Sequence, residues 1–120
     1  MEDNDELVQA SMQVILAAGD GRTHAMRALE LAGEGDHEAA QAELDLAEAA
    51  ITEGHRMQTE VIQGSVRGEA RYSSYSMLFS HAQDSLMVVV SEVQITKRML
   101  PILKALHTRI DTLESEHAPR

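Results

Sequence analysis

The sequence predicts an all-α fold of three long helices joined by short breaks. Three observations point there. The 120 residues include one phenylalanine, two tyrosines and no tryptophan, so the large side chains that usually fill sandwiches and mixed sheets are missing. Alanine, leucine, methionine and glutamate dominate instead, and these are helix formers. Apolar residues recur at spacings of three and four through most of the chain, broken near Gly33 and again over Gly64–Ser74. The length suits one domain over residues 1–120, with a core but no large enclosed active site. Residues 1–6 and about 115–120 are expected to be disordered.

The first helix is expected from Leu7 to about Leu31, where Val8, Met12, Ile15, Leu16, Gly19, Met26 and Leu29 recur at helical spacing. Gly19-Asp20-Gly21 conflicts with that pattern, at a cost of about 1 kcal/mol per glycine relative to alanine. Glycines tolerated there usually let another helix come close. Gly33-Glu34-Gly35-Asp36 reads as a turn, with Asp36 as N-cap of a second helix over His37–Gln63. The seam of that helix is Ala40, Leu44, Ala47, Ile51, Gly54, Gln58 and Val61, small enough for close packing. Gln58 brings into it an amide that needs partners if buried.

Gly64–Ser74 has no period and reads as a loop, after which Ser73, Ser74 or Ser76 caps a third helix from about Tyr75 to Leu113. Pro101 falls inside that helix, where it lacks an N–H and crowds the carbonyl four residues back, so a kink is expected. The third helix carries two apolar stripes. One is Leu78, Ala82, Leu86, Val89, Val93, Leu100 and Leu103; the other is Met77, His81, Asp84, Val88, Ser91, Ile95 and Ile102. One stripe suffices to pack against the first two helices. The second would stay in water unless another subunit covers it, so the chain is expected to oligomerise.

Charge placement agrees. Residues 1–60 carry fourteen acids and three Lys/Arg, and residues 61–120 carry six acids and seven Lys/Arg. The first two helices would then lie outside and the near-neutral third inside. A net charge of −10 repels phosphodiester backbones and anionic lipid, so neither nucleic acid nor a membrane surface is an expected partner. No apolar run approaches the length of a membrane span, and the acidic start argues against a signal peptide. The lack of cysteine removes disulfide and thiolate chemistry and fits a reducing cytoplasm.

No phosphate-loop, dinucleotide-binding or zinc-protease motif occurs. His24, His37, His55, His107 and His117 lie in polar surroundings and read as solvated or capping residues. His81 differs, lying in an apolar run with Asp84 and Ser85 on its own side of the helix at i+3 and i+4. On physics alone a histidine on an apolar stripe is more often a satisfied core residue; phosphoryl transfer needs little besides a neutral imidazole, an accessible nitrogen and donors for the incoming oxygens. The sequence alone leaves two other readings open: a histidine phosphotransfer domain of two-component signalling, or a helical interaction module with no chemistry. The first usually follows its histidine with lysine-glycine, and here Gln83-Asp84-Ser85 stands in that place.

His81-Ala82-Gln83-Asp84 followed by Leu86-Met87 resembles the active-site helix of enzyme IIA of the lactose/cellobiose class in the bacterial sugar phosphotransferase system. Gly19-Asp20-Gly21-Arg22-Thr23 is similar to the family's Gly-Asp-Ala-Arg-Ser stretch, and Gly54-His55-Arg56-Met57-Gln58-Thr59 to its Ala-His-Arg-Ile-Gln-Thr stretch. The resemblance covers about residues 10–105. It implies an antiparallel up-down-up protomer in a parallel homotrimer, nine helices in all, built around the third helix. It further implies a cytoplasmic phosphotransferase component for a lactose-, cellobiose- or chitobiose-type sugar. His81 would accept phosphate from phospho-HPr on Nε2, in a groove between subunits, and pass it to a cysteine of enzyme IIB. Gln83 matches the amide beside the active histidine. Asp84 matches an aspartate that meets its copies at the trimer axis, where a divalent cation, magnesium foremost, can bind; no organic cofactor is implied. The chain departs from the family in three places: Ser85 replaces a second histidine, Pro101 interrupts a regular helix, and the tail beyond about residue 105 is longer. Ser85 is therefore the second expected neighbour of the phosphoryl site.

Overall fold

The structure is a computed structural model describing residues 2–118, with side chains from Asp5 onward. It contains helices α1 (Glu2–Gly33), α2 (His37–Val66), α3 (Ala70–Ser73) and α4 (Met77–Glu116). The three long helices pack side by side, and α3 is a single turn at the α2–α4 corner. None of the helices is long and apolar enough to cross a membrane.

Local signals set the breaks. After α1 the Asp36 N–H donates to the Leu31 carbonyl and the Gly35 N–H to that of Ala32, with Gly35 at φ +87°. The same pair of bonds closes α2, from Glu69 to Gly64 and from Gly68 to Ser65, with Gly68 at φ +79°. Both are left-handed caps that a side chain would strain. Asp36 caps α2 as expected, accepting from the Ala39 N–H, and Ser76 caps α4 by accepting from that of Phe79.

The second-helix seam is buried along its whole expected length and continues to Gly64. On α4 the first stripe faces the body: Ala82, Leu86, Val89, Val93 and Leu100 are buried, with Leu78 and Leu103 half-buried. The face of α1 differs from the expectation. Its core side is Leu7, Ala10, Ser11, Val14, Ala18, Gly21, Ala25, Ala28 and Ala32, while Val8, Met12, Leu16, Gly19 and Met26 are exposed and Ile15 and Leu29 half-buried. Alanine on this face lets α1 lie close to both neighbours. Gly21 belongs to that approach: a Cβ there would stand 2.8 Å from Ile51 and 3.3 Å from Val89, whereas Gly19 meets nothing.

Other boundaries also moved. Helix α1 starts at Glu2 rather than Leu7, and buried Leu7 anchors its second turn; residue 1 lies outside the described residues. The expected loop over Gly64–Ser74 holds the end of α2 and all of α3, because Tyr72 is buried with Leu7, Val61 and Phe79 and pins that turn. Helix α4 runs unbroken through Pro101 to Glu116, so the expected disorder near residue 115 gives way to helix; residues 119–120 lie outside the described residues.

Candidate functional site

His81, Asp84 and Ser85 lie within the first two and a half turns of α4, on a helix whose start is fixed by the Ser76 cap and by buried Phe79. The buried neighbour Ala82 sets the rotation: with Ala82 and Leu86 facing inward, His81 and Asp84 must face away from the body. Both are exposed and Ser85 is half-buried. No side chain among the described residues hydrogen-bonds or ion-pairs with any of the three. The imidazole therefore stands open, with both ring nitrogens uncommitted.

The rest of the second stripe is open as well. Met77, Val88, Ser91, Ile95 and Ile102 are all exposed on the His81 side of α4. Two large apolar residues of α1 adjoin them: Met26 and Leu29 line one groove with Ile95 and Met99. The open face thus spans two helices. Gln83, two residues from His81, points to the other side of α4 and lines a groove with Leu7, Val61, Tyr72, Phe79 and Ser80. Within one chain the structure brings His81, Asp84 and Ser85 together and leaves Gln83 apart.

The two other sequence motifs support α4 rather than reach His81. Gly21 lies against Val89, and Gly54 lies against Leu86, where a Cβ would stand 2.9 Å from Cδ1. Arg22 forms a two-pronged bond to Glu92, Nε to Oε2 and Nη2 to Oε1, both 2.9 Å. This pairing raises the Arg22 pKa further, through the hydrogen bond first and the nearby charge second. Sequence reading missed the pair, whose partners are 70 residues apart; the arginine inside a glycine-rich helical motif was the available signal. In the second motif Gln58 is buried, and no fully buried side-chain polar atom among the described residues lacks a hydrogen bond. Arg56 bonds Glu53 and Glu60 on the outer face of α2, and its hydrogen bonds hold the Glu53 carboxyl below the usual range.

Of the remaining histidines, His24 bonds Glu43 at 2.6 Å between α1 and α2, and His37 meets His107 at 3.0 Å between α2 and α4. No group of three or more metal-type side chains occurs among the described residues. A cation at Asp84 would need carboxylates from several copies. The exposed position of Asp84 on the open face fits that arrangement, and its oxygen-only donors suit a hard cation such as magnesium.

The family model described as "PTS system, Lactose/Cellobiose specific IIA subunit" matches residues 9–104. The lichenan-specific phosphotransferase enzyme IIA component of Bacillus subtilis (strain 168) is 40% identical over 84 residues, covering 70% of this chain and 74% of the relative. The crystal structure of the cellobiose-specific enzyme IIA from Bacillus anthracis superposes with a TM-score of 0.76 at 35% identity, over 83% of this chain and 90% of that one. The Escherichia coli chitobiose IIA, solved in complex with HPr, gives a TM-score of 0.70 at 29% identity, over 82% of this chain and 94% of that one.

Proposed function

The chain belongs to the lactose/cellobiose-specific IIA family of the sugar phosphotransferase system, and from that membership we propose that His81 is its phosphoryl carrier. His81 takes the group from phospho-HPr and hands it to a cysteine of enzyme IIB, in the cytoplasm, for uptake of a lactose-, cellobiose- or chitobiose-type sugar. The observation that carries this reading is the uncommitted imidazole on the open face of α4. The likeness to the chitobiose IIA solved with HPr supports the choice of donor.

The chemistry asks little of the protein beyond placement. The lone pair of Nε2 attacks phosphorus as the bond to the donor breaks; the N–P bond that forms is labile enough to pass the group on. Ser85, one turn beyond His81, offers a hydroxyl toward the phosphoryl oxygens. The exposed apolar face of α1 and α4 supports a homotrimer in which neighbouring chains wall the groove around His81 and bring in further groups, Gln83 of an adjacent copy among them. Three Asp84 carboxylates would then converge, and a divalent cation, magnesium foremost, would offset their repulsion.

Incubation with phosphoenolpyruvate, enzyme I and HPr should load one phosphoryl group per chain, stable to base and labile to acid. His81→Ala should stay helical, since the side chain is exposed, and should take up none. Uptake at the wild-type rate in that variant would sink the assignment, and loading from a response regulator but not from HPr would redirect it.

A further inference from the structure

Helix α4 continues past the end of the family match at residue 104 as far as Glu116, roughly 20 Å of additional helix. The two sides of this segment differ. The side turned toward its own body is polar: Lys104, His107, Thr108 and Asp111 line a pocket with Glu34, Gly35 and His37 at the α1–α2 turn. His107 is the one half-buried residue of the segment, held to His37. The opposite side carries Leu106, Ile110 and Leu113, each about half exposed. These continue the open stripe of the body, which reads Val88, Ser91, Ile95, Met99, Ile102, Leu106, Ile110 and Leu113. The steps are three, four, four, three, four, four and three, so the stripe keeps to one side of the helix. An isolated helix of this length is marginal in water, and its own body offers the apolar side nothing.

We propose that residues 104–116 form a parallel three-stranded stalk with the same segments of two other copies, with Leu106, Ile110 and Leu113 turned inward. This rests on the trimeric reading above and extends it past residue 104, where the family model's match ends. Charge sets the direction. Arg109 and Glu114 flank the stripe on opposite sides, five residues apart, and neither forms an ion pair among the described residues. Neighbouring parallel, in-register helices exchange ion pairs at that offset, so Arg109 of each chain meets Glu114 of the next. The body-facing polar side, tied by His37 and His107, keeps the apolar side aimed at the axis.

The absence of cysteine in the chain makes the test clean. Leu113→Cys and Thr108→Cys variants are prepared separately, their oligomeric state is measured by sedimentation, and each is treated with a mild copper oxidant that accepts two electrons per disulfide. In the stalk, Leu113→Cys thiols of neighbouring chains meet, and crosslinked dimers form at least tenfold faster than in Thr108→Cys, whose thiol faces outward. Trimers whose Leu113→Cys variant crosslinks no faster than Thr108→Cys would overturn the stalk and leave the trimer standing. Monomers by sedimentation would overturn both readings.

Discussion

Ile95→Glu separates a buried interface from a merely exposed face. In the single chain Ile95 is 59% exposed, in the groove with Met26, Leu29 and Met99. Burying a whole isoleucine side chain is worth about 1.5–3 kcal/mol, so covering the remaining three-fifths is worth about 1–2 kcal/mol per chain. Three copies sum to about 3–6 kcal/mol per trimer, before the cost of burying a carboxylate, and each 1.4 kcal/mol is tenfold in association. The trimer should therefore weaken by at least about a hundredfold. Glutamate is itself a good helix former and would stand three residues before Arg98, within i,i+3 reach, so the single chain should change by no more than about 0.5 kcal/mol. Sedimentation velocity over a range of concentrations reads the assembly, and circular dichroism reads the fold. A variant that sediments as the wild-type trimer at the same concentrations would place this face outside the interface.

At Asp84, an apolar replacement should tighten the assembly rather than loosen it. Asp84→Leu should raise the melting temperature of the trimer and abolish its response to magnesium and chelator, because an apolar residue avoids the repulsion of converging carboxylates; a leucine variant that falls apart to monomers would contradict this. Gly64→Ala should destabilise the chain by about 1–2 kcal/mol in denaturant melts, since overpacking outweighs the gain in helix propensity. The added Cβ would stand 2.5 Å from the Tyr72 ring, which pins α3; an unchanged midpoint would show that the ring moves aside freely. Hydrogen bonds from Arg67 and then Arg71 hold the Glu69 carboxyl below its ordinary value of 4.5. Its contribution is therefore complete above that value and is lost as pH falls through the lowered one. Acid melts of wild type and Glu69→Gln should converge at low pH, and a gap that persists there would rule the linkage out.

How much of this was legible in the sequence varied with the element. The α2 seam could be read residue by residue because α2 has only one apolar face, and all seven expected positions from Ala40 to Val61 are buried. Helix α1 misled because its core face is mostly alanine, which carries little hydropathic weight beside Val8, Met12, Leu16 and Met26. Those larger residues face outward with the second stripe of α4. Helix α3 is one turn, too short to show a period, and exists through the packing of Tyr72. Near the site, helical spacing was enough to group His81 with Asp84 and Ser85. The same spacing sets Gln83 on the far side of α4, a consequence that the motif's adjacency in sequence hides. The Arg22–Glu92 fork depends on how α1 and α4 pack, which one helix's pattern cannot reveal.

Peptide mapping of the loaded protein tests most directly whether His81 is the phosphorylated residue. The protein is phosphorylated through HPr, quenched in base to preserve the N–P bond, digested, and the six histidines are located by mass spectrometry. One phosphoryl group is expected, on the peptide containing His81, lost when enzyme IIB is added before the quench. A phosphoryl group on any other histidine, with His81 unmodified, would contradict it.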